Sequence, residues 1–229
     1  MQKGRSVQIK IGGISLSGDL SLPEGALGII LFAHGSGSSR LSPRNQYVAV
    51  ELNKAGFATL LMDLLSSKEE AIDQYTRHLR FDIPLLAGRL RSAIDWLKQD
   101  KETQRFPIGL FGASTGSAAA IIAAAEANNA VAAVVSRGGR PDLASSHLAV
   151  LQTPTLLIVG GADVQVIELN KEAMVQMRCT CKLEIVAGAT HLFEEPGTLE
   201  TVAQLASRWF LQYMTPPSKE LTYRHSPAR

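Results

Sequence analysis

The stretch PIGLFGASTGSAAAIIAAAEA, residues 107–127, decides the fold of this chain. Its apolar start, 107–111, predicts a buried strand, and its run of small residues, 117–127, predicts a helix. Between them lies Gly112-Ala113-Ser114-Thr115-Gly116, a serine flanked by two glycines at the turn from strand to helix. Glycine permits the unusual backbone angles and the close approach of helix to sheet that such a turn needs. The turn exposes the hydroxyl of Ser114 at the edge of the sheet, where it is placed to act as a nucleophile.

An acid and a histidine follow this serine at positions that suit a catalytic triad. The apolar run 155–159 ends shortly before Asp163, and the run 182–186 ends shortly before His191. Both residues therefore follow the carboxyl ends of predicted strands, where open α/β sheets place their functional groups. The order Ser114, Asp163, His191 is the order of the triad in α/β-hydrolases.

Each of the three residues also has an ordinary structural interpretation. Ser114 and Asp163 are placed to cap the helices that follow them, and His191 is placed to bond a loop carbonyl. Asp142 competes for the role of the acid, because some members of the fold place the acid one strand earlier. Since Pro141 and Asp142 look like an ordinary helix start, we expect Asp163 to orient His191.

From about residue 7 to residue 214, the sequence resembles the dienelactone hydrolase-like group of α/β-hydrolases. The resemblance rests on the turn at Ser114, on Asp163, on Thr190-His191-Leu192-Phe193, and on His34-Gly35-Ser36-Gly37-Ser38-Ser39. It implies the α/β-hydrolase fold and a carboxylic ester hydrolase that needs no cofactor. The members that give the group its name use a cysteine nucleophile, whereas this chain has serine.

The same resemblance implies two backbone donors for the oxyanion of a tetrahedral intermediate. One is the N–H of Thr115, the residue after the nucleophile, and the other comes from the loop after the first long parallel strand. In that loop we assign the donor to Ser36. We expect His34 to pack beneath the loop as a structural residue.

Four arginines are candidates for binding a carboxylate or phosphate of the substrate, because the planar fork of arginine suits both groups. They follow the carboxyl ends of two predicted strands and are expected on the face that carries Ser114: Arg40, Arg44, Arg137 and Arg140. In the alternative interpretation they are surface residues, or they pair with Asp142, Glu194 or Glu195.

The hydrophobic pattern predicts a three-layer α/β sandwich around a mostly parallel sheet of eight strands. Two alternating runs, 7–11 and 14–22, joined by Gly12 and Gly13, predict an antiparallel hairpin at one edge. Six continuous apolar runs predict parallel strands covered on both faces: 28–33, 57–62, 107–111, 131–135, 155–159 and 182–186. Residues 136–154 are too few for a cap domain, and the polar segment 63–80 is placed to overhang the site as a partial lid.

Length and composition favour an ordinary globular protein. The 229 residues suit a single domain, 1–214, followed by a polar tail, 215–229. The net charge of +2 predicts neither nucleic acid nor a membrane surface as a partner. The start of the chain lacks a signal peptide, which predicts the cytoplasm, and Cys179 and Cys181 are expected as reduced thiols without a metal.

The sequence thus predicts a serine hydrolase that cleaves an ester, thioester or lactone of a small substrate through an acyl-enzyme on Ser114. The partner expected is that substrate alone, bound by a monomer or a homodimer. Two alternatives remain open. One is a hydrolase-like protein that binds a small ligand without turnover, and the other is an acyltransferase, since hydrolysis and acyl transfer share the acyl-enzyme.

Overall fold

The computed structural model describes residues 4–127 and 129–215, and in that part eight strands form one sheet. The strands are β1 Arg5–Ile11, β2 Ile14–Ser21, β3 Ile29–Ala33, β4 Ala58–Met62, β5 Ile108–Ala113, β6 Val131–Arg137, β7 Thr155–Gly160 and β8 Cys181–Val186. Their order across the sheet is β1-β2-β4-β3-β5-β6-β7-β8. The pairs β1–β2 and β2–β4 are antiparallel and all others are parallel, which confirms the predicted hairpin at the edge of a mostly parallel sheet.

Helices cover both faces of the sheet and make the three predicted layers. They are α1 Pro43–Lys54, α2 Ser67–Thr76, α3 Ile83–Gln99, α4 Thr115–Glu126, α5 His147–Val150, α6 Val164–Gln176 and α7 Thr198–Met214. Side chains of α1 and α7 form one hydrophobic core with the sheet, and side chains of α3 and α4 form the other. Between β6 and β7 the chain forms only a short 3-10 helix, Pro141–Ala144, and α5, so no cap domain is inserted there.

Local signals fix where helix α1 begins and ends. The hydroxyl of Ser42 accepts the backbone N–H of Asn45, and Pro43 occupies the first turn, where its missing N–H costs nothing. The chain leaves the helix at Gly56, whose φ of +90° is a left-handed conformation that favours glycine. The loop after β3 leads directly into this helix.

Strand β8 differs from the prediction. It is the last strand of the sheet, and most of its side chains are half or fully exposed, so it is not covered on both faces. Ile185 is 48% exposed, and Lys182 pairs with Glu184 at 2.6 Å. A short apolar run cannot by itself distinguish an edge strand from a central one, because that depends on how many neighbours the strand finds.

The predicted overhanging segment contains α2 and a short 3-10 helix, Leu79–Phe81, held together by a buried carboxylate. Asp73 is fully buried and accepts the backbone N–H of Leu79 and the Nε–H of Arg80, each at 2.6 Å. Burial raises the pKa of Asp73, but these hydrogen bonds outweigh it and hold the pKa below its ordinary value. The buried carboxylate therefore joins the two short helices of this segment to each other.

A cavity of about 590 Å³ opens between the start of this segment and the loop after β3. Its lining is rich in hydroxyl and carboxylate groups: Ser38, Ser39, Ser42, Asp63, Ser67 and Glu70. His34 also lines it, so the cavity adjoins the loop that carries Ser36.

Three further expectations concern the C-terminal tail, the two cysteines, and membrane or metal binding. The predicted tail lies outside the described residues except for Thr215, and so it stays a prediction. Cys179 and Cys181 are free thiols, and burial raises the pKa of Cys181 to about 12. Among residues 4–127 and 129–215, no helix is long and apolar enough to cross a membrane, and no group of three or more His, Cys, Asp or Glu is placed to hold a metal ion.

Candidate active site

Ser114 occupies a strained turn between β5 and α4. Its φ of 50° and ψ of −123° are rare for a residue with a side chain, and its hydroxyl makes no capping bond to α4, which argues against the capping interpretation. A Cβ on Gly116 would lie 2.4 Å from the carbonyl oxygens of Ala33 and His34. Glycine at this position therefore lets α4 approach the end of β3, and Ser114 stays half-buried above the sheet.

Asp163 and His191 meet across the ends of β7 and β8. Oδ2 of Asp163 lies 2.7 Å from Nδ1 of His191, so the contact expected between them is present. Asp163 makes no capping bond to α6. The competing acid, Asp142, instead accepts two hydrogen bonds from Arg140, at 2.8 and 2.7 Å. The geometry thus selects Asp163 as the partner of His191.

The loop that carries His191 is held in place by contacts with its neighbours. A Cβ on Gly160 would lie 2.4 Å from the carbonyl oxygen of Ala189, so glycine lets the loop cross the end of β7 closely. The backbone N–H of Thr190 donates to a carboxylate oxygen of Glu195 at 3.0 Å, and hydrogen bonds from Thr190 hold the pKa of Glu195 below its ordinary value. These contacts fix the ring of His191 above the carboxyl end of the sheet.

The structure joins the acid to the histidine but not the histidine to the serine. Among the described residues, the hydroxyl of Ser114 makes no hydrogen bond to the ring of His191. Because Nδ1 faces Asp163, the ring nitrogen left for another partner is Nε2. The His191 side chain is 39% exposed, whereas that of Asp163 is 16% exposed. Of the two side chains, that of His191 is therefore the more accessible to a substrate.

The loop after β3 lies directly against the turn that carries Ser114. A Cβ on Gly35 would lie 3.1 Å from the Cβ of Ser114. The backbone N–H of Ser36 donates to the hydroxyl oxygen of Thr115 at 2.9 Å. The two residues assigned to the oxyanion hole are therefore bonded to each other across the loop and the turn.

His34 fixes this loop from below, as expected for a structural histidine. Its Nε2 accepts the backbone N–H of Leu64 at 3.0 Å, which requires that ring nitrogen to be unprotonated. Nδ1 then carries the hydrogen and donates to the carbonyl of Gly35 at 2.9 Å. Burial lowers the pKa of His34, so the neutral ring that makes both bonds is the favoured form.

Three of the four candidate arginines are paired with carboxylates of the chain itself. Arg40 bonds Asp63 through its backbone N–H at 2.8 Å and through its guanidinium, and it contacts Asp19 at 3.2 Å. Arg140 is bound by Asp142, as described above. Arg44 bonds Glu194 at 3.0 Å.

Arg137 requires a correction. It does not follow the strand, as the sequence suggested, but is the last residue of β6, where it pairs with Ala113 of β5. The apolar run 131–135 ends two residues earlier, although the parallel ladder continues. The Arg137 side chain is buried, and its guanidinium bonds only the amide oxygen of Asn45, at 3.3 Å, among the described residues.

The dienelactone hydrolase family matches residues 17–214, which run from within β2 to the end of α7. The chain belongs to that family. This dienelactone hydrolase family member is 58% identical to the dienelactone hydrolase of Anabaena variabilis, whose crystal structure superposes with a TM-score of 0.91 over 92% of this chain and 98% of the other. The fold class expected from the sequence is therefore confirmed.

More distant structures share the fold of this family member. Est1E of Butyrivibrio proteoclasticus is 18% identical and has a TM-score of 0.75, covering 91% of this chain and 98% of the other. An alpha-beta serine hydrolase homologue of Coxiella burnetii is also 18% identical, with a TM-score of 0.74, covering 91% of this chain and 98% of the other.

Two curated relatives, each called a putative phosphoribosyl transferase, come from two strains of Mycobacterium tuberculosis. Each is 53% identical to this family member over 215 residues, which are 94% of this chain but 48% of the relative. The chain thus spans about half the length of these curated relatives.

Sequence reasoning missed a buried polar group behind the turn of this family member. The side-chain amide of Asn170 donates to the carbonyls of Gly139 and Val166, at 3.0 and 2.8 Å. A Cβ on Gly139 would lie 1.9 Å from the hydroxyl of Ser136 and 2.7 Å from the Cβ of Ser117, so any other residue there would displace these side chains. The pair Gly138-Gly139, two residues after the apolar run 131–135, is the local signal for this place, because such a pair marks a tight turn.

Proposed function

We propose that the chain is a serine hydrolase that cleaves an ester, thioester or lactone of a small substrate through an acyl-enzyme on Ser114. This places it among carboxylic ester hydrolases. The observation that carries the proposal is the 2.7 Å contact between Asp163 and His191, formed by the loops after β7 and β8 beside the strained turn of Ser114. Family membership supports hydrolysis as the class of reaction.

In this proposal each residue of the triad has one role. Nε2 of His191 accepts the proton of Ser114 as its oxygen attacks the carbonyl carbon of the substrate. Asp163 accepts the hydrogen on Nδ1, which fixes the tautomer and stabilises the imidazolium. His191 then gives its proton to the leaving oxygen or sulfur. Water attacks the acyl-enzyme in the second half of the cycle, with His191 again as the base.

The distance between the Ser114 hydroxyl and Nε2 of His191 has to shorten when the substrate binds. Catalytic hydrogen bonds often shorten in this way between the free enzyme and the complex. The oxyanion is assigned to the backbone N–H groups of Thr115 and Ser36. The N–H of Ser36 now donates to the hydroxyl of Thr115, so this donor has to change or share its acceptor as the oxyanion forms.

Two other functions have to be distinguished from hydrolysis. An acyltransferase would form the same intermediate on Ser114 and pass the acyl group to an acceptor other than water. A hydrolase-like binding protein would hold a small ligand without turnover. The names of the mycobacterial relatives concern phosphoribosyl transfer, whereas the groups gathered around Ser114 suit acyl transfer. We therefore assign acyl chemistry to this chain.

A fluorophosphonate probe tests the proposal directly, because it reacts with an activated serine and does not require the natural substrate. We expect the probe to label the wild type and not Ser114→Ala. The matched control is Ser207→Ala, a serine change on α7, which should be labelled like the wild type. Labelling of Ser114→Ala at the wild-type level would contradict the assignment. A panel of esters then separates the alternatives: release of free acid supports hydrolysis, transfer to an added alcohol or amine indicates an acyltransferase, and no turnover indicates a binding protein.

A further inference from the structure

Asn170 is a buried amide that ties helix α6 to segment 137–140, the last residue of β6 and the loop after it. The residue is fully buried, and its amide nitrogen donates to the carbonyl of Gly139 at 3.0 Å and to that of Val166, on its own helix, at 2.8 Å. Both partners are carbonyl oxygens, so the amide nitrogen and not the amide oxygen has to face them. Asn170 is therefore fixed in orientation and joins two separate elements.

The segment that Asn170 holds also bonds the backbone of Ser114 on both sides. The N–H of Ser114 donates to the carbonyl of Arg137 at 3.1 Å, and the carbonyl of Ser114 accepts the N–H of Arg140 at 3.2 Å. Gly139, which accepts the bond from Asn170, lies between these two residues in the chain. A shift of Gly139 would therefore move both backbone groups that hold Ser114 in its strained conformation.

Segment 137–140 also contacts His191. Gly138 has a φ of +51°, and a Cβ there would lie 3.1 Å from the carbonyl oxygen of His191 and 3.6 Å from Cε1 of its ring. Glycine at this position lets the segment pass directly against the histidine. The N–H of Gly138 donates to the carbonyl of Ile158, in β7, at 2.7 Å. The segment is thus in contact with both Ser114 and His191.

Helix α6 carries the connection to the acid as well. Asp163 directly precedes the helix, and its backbone carbonyl accepts the N–H of Ile167, in the first turn, at 3.0 Å. The carboxylate of Asp163 contacts His191, as described above. Asn170 lies about two turns further along the same helix. One helix is therefore bonded to the histidine through Asp163 and to the serine turn through Asn170 and Gly139.

We propose that Asn170 is a positioning residue for the reaction on Ser114, because its bond to Gly139 holds segment 137–140 where the segment aligns Ser114 with His191. This inference rests on the proposed hydrolase function. Among the described residues the Ser114 hydroxyl makes no hydrogen bond to His191, so the elements that carry the two side chains set their alignment. A misplacement of about 1 Å caused far from the reacting atoms can cost a hundredfold in rate. Asn170 itself touches no substrate and transfers no proton.

Asn170→Leu tests this role, because leucine has nearly the shape of asparagine and no N–H to donate. Asn53→Leu is the matched control. The amide of Asn53 donates to the carbonyl of Phe57 at 2.9 Å and to the hydroxyl of Thr59 at 3.1 Å, at the amino end of β4 and so at the opposite end of the sheet. If Asn170 only stabilised the fold, both variants would melt at a lower temperature and react like the wild type while folded. Rates are therefore measured well below both melting temperatures.

For Asn170→Leu we expect the rate of fluorophosphonate labelling to fall by about tenfold to a hundredfold. On any ester that the wild type cleaves, kcat and kcat/KM should fall together, because the reacting groups lose alignment while the contacts of the bound substrate are kept. Asn53→Leu should label and turn over like the wild type. Asn170→Ser is the second variant in case leucine prevents folding. Its hydroxyl reaches only the carbonyl of Val166 on its own helix, which leaves Gly139 without this donor, so the same loss is expected.

A readout without turnover separates failure of this role from failure of the hydrolase. The backbone amide of Ser114 and the ring nitrogens of His191 are followed by nitrogen NMR, and we expect both to shift in Asn170→Leu and neither in Asn53→Leu. Labelling and kcat at the wild-type level in a folded Asn170 variant overturn the proposal, and so do unchanged signals of Ser114 and His191. A wild type that neither labels nor cleaves esters rejects the hydrolase, and the NMR shifts then still decide whether Asn170 aligns the two residues.

Discussion

The backbone N–H of Ser36 donates to the hydroxyl oxygen of Thr115 at 2.9 Å, so the loop after β3 is tied to the residue that follows Ser114. Thr115 is buried and Ser36 is half-buried. One hydrogen bond therefore links the two residues whose backbone N–H groups we assign to the oxyanion hole.

Replacing Thr115 by Val should loosen this loop. The change removes the acceptor but keeps the shape of the side chain, so the N–H of Ser36 loses its partner, at a cost of about 1 kcal/mol in the free energy of unfolding. We also expect slower labelling by a fluorophosphonate, because the donor is no longer held in place. Urea unfolding and labelling rates measure the two effects. Thr115→Ser keeps the hydroxyl and should behave like the wild type; equal losses in both variants would assign the effect to packing.

Replacing Asp163 by Asn should leave the fold intact and slow the reaction of Ser114. The amide cannot hold Nδ1–H of His191 as a carboxylate does, and the loss of rate expected is on the order of 10³–10⁴-fold. The rate of fluorophosphonate labelling and kcat on any ester that the wild type cleaves are the measurements. Asp142→Asn is the matched control, since Asp142 bonds Arg140 and not His191. A larger loss in Asp142→Asn than in Asp163→Asn would contradict the assignment of the acid.

Replacing Gly116 by Ala should destabilise the protein. The new Cβ would lie 2.4 Å from two backbone oxygens, of Ala33 and His34, so α4 and β3 have to move apart. We expect the free energy of unfolding to fall by about 3 kcal/mol, at the upper end for overpacking. Gly88→Ala on α3 is the control, because nothing lies within 4 Å of its Cβ. That change should be neutral or stabilising by about 0.5–1 kcal/mol, and similar losses at both positions would argue against the close approach.

The carboxylate of Asp73 should make the stability of the protein depend on pH under acidic conditions. Its pKa is lower in the folded state than in the unfolded chain, so its contribution is fully present above the ordinary value of 3.8 and is lost as the pH falls through the folded value. We therefore expect Asp73→Asn to be less stable than the wild type at pH 7 and the difference to shrink below about pH 4. Thermal melting of both proteins between pH 7 and pH 3 measures it. A difference that is constant over this range would contradict the role given to the ionised form.

Much of the fold could be predicted because buried parallel strands need continuous apolar runs. Each predicted run overlaps an observed strand. Strand β6 shows that an apolar run does not fix where a strand ends. A strand ends where its ladder ends, and the ladder of β6 continues through Ser136 and Arg137, whose side chains are polar. An apolar run likewise does not show whether its strand lies at the edge or in the centre of the sheet. For that reason the sequence of β8 wrongly predicts a strand covered on both faces.

The Asp163–His191 contact could be predicted because both residues directly follow strands whose carboxyl ends lie at the same edge of the sheet. The carboxylate partners of Arg40 could not. Arg40 bonds Asp63 and Asp19, which follow β4 and lie within β2, and nothing in the residues near Arg40 indicates these contacts. The bond between Ser36 and Thr115 depends in the same way on how closely α4 approaches β3. Such pairings are properties of the assembled fold and have no local pattern.

The edge position of β8 has a consequence for how the protein would lose activity. His191 lies on the loop that leaves β8, whereas Ser114 lies on a turn between two buried elements in the centre of the sheet. An edge strand with exposed side chains is among the first parts of a fold to open by local unfolding. Mild heating or denaturant would then separate the histidine from Asp163 while the central strands remain folded, so inactivation would precede global melting and would reverse when β8 pairs again with β7.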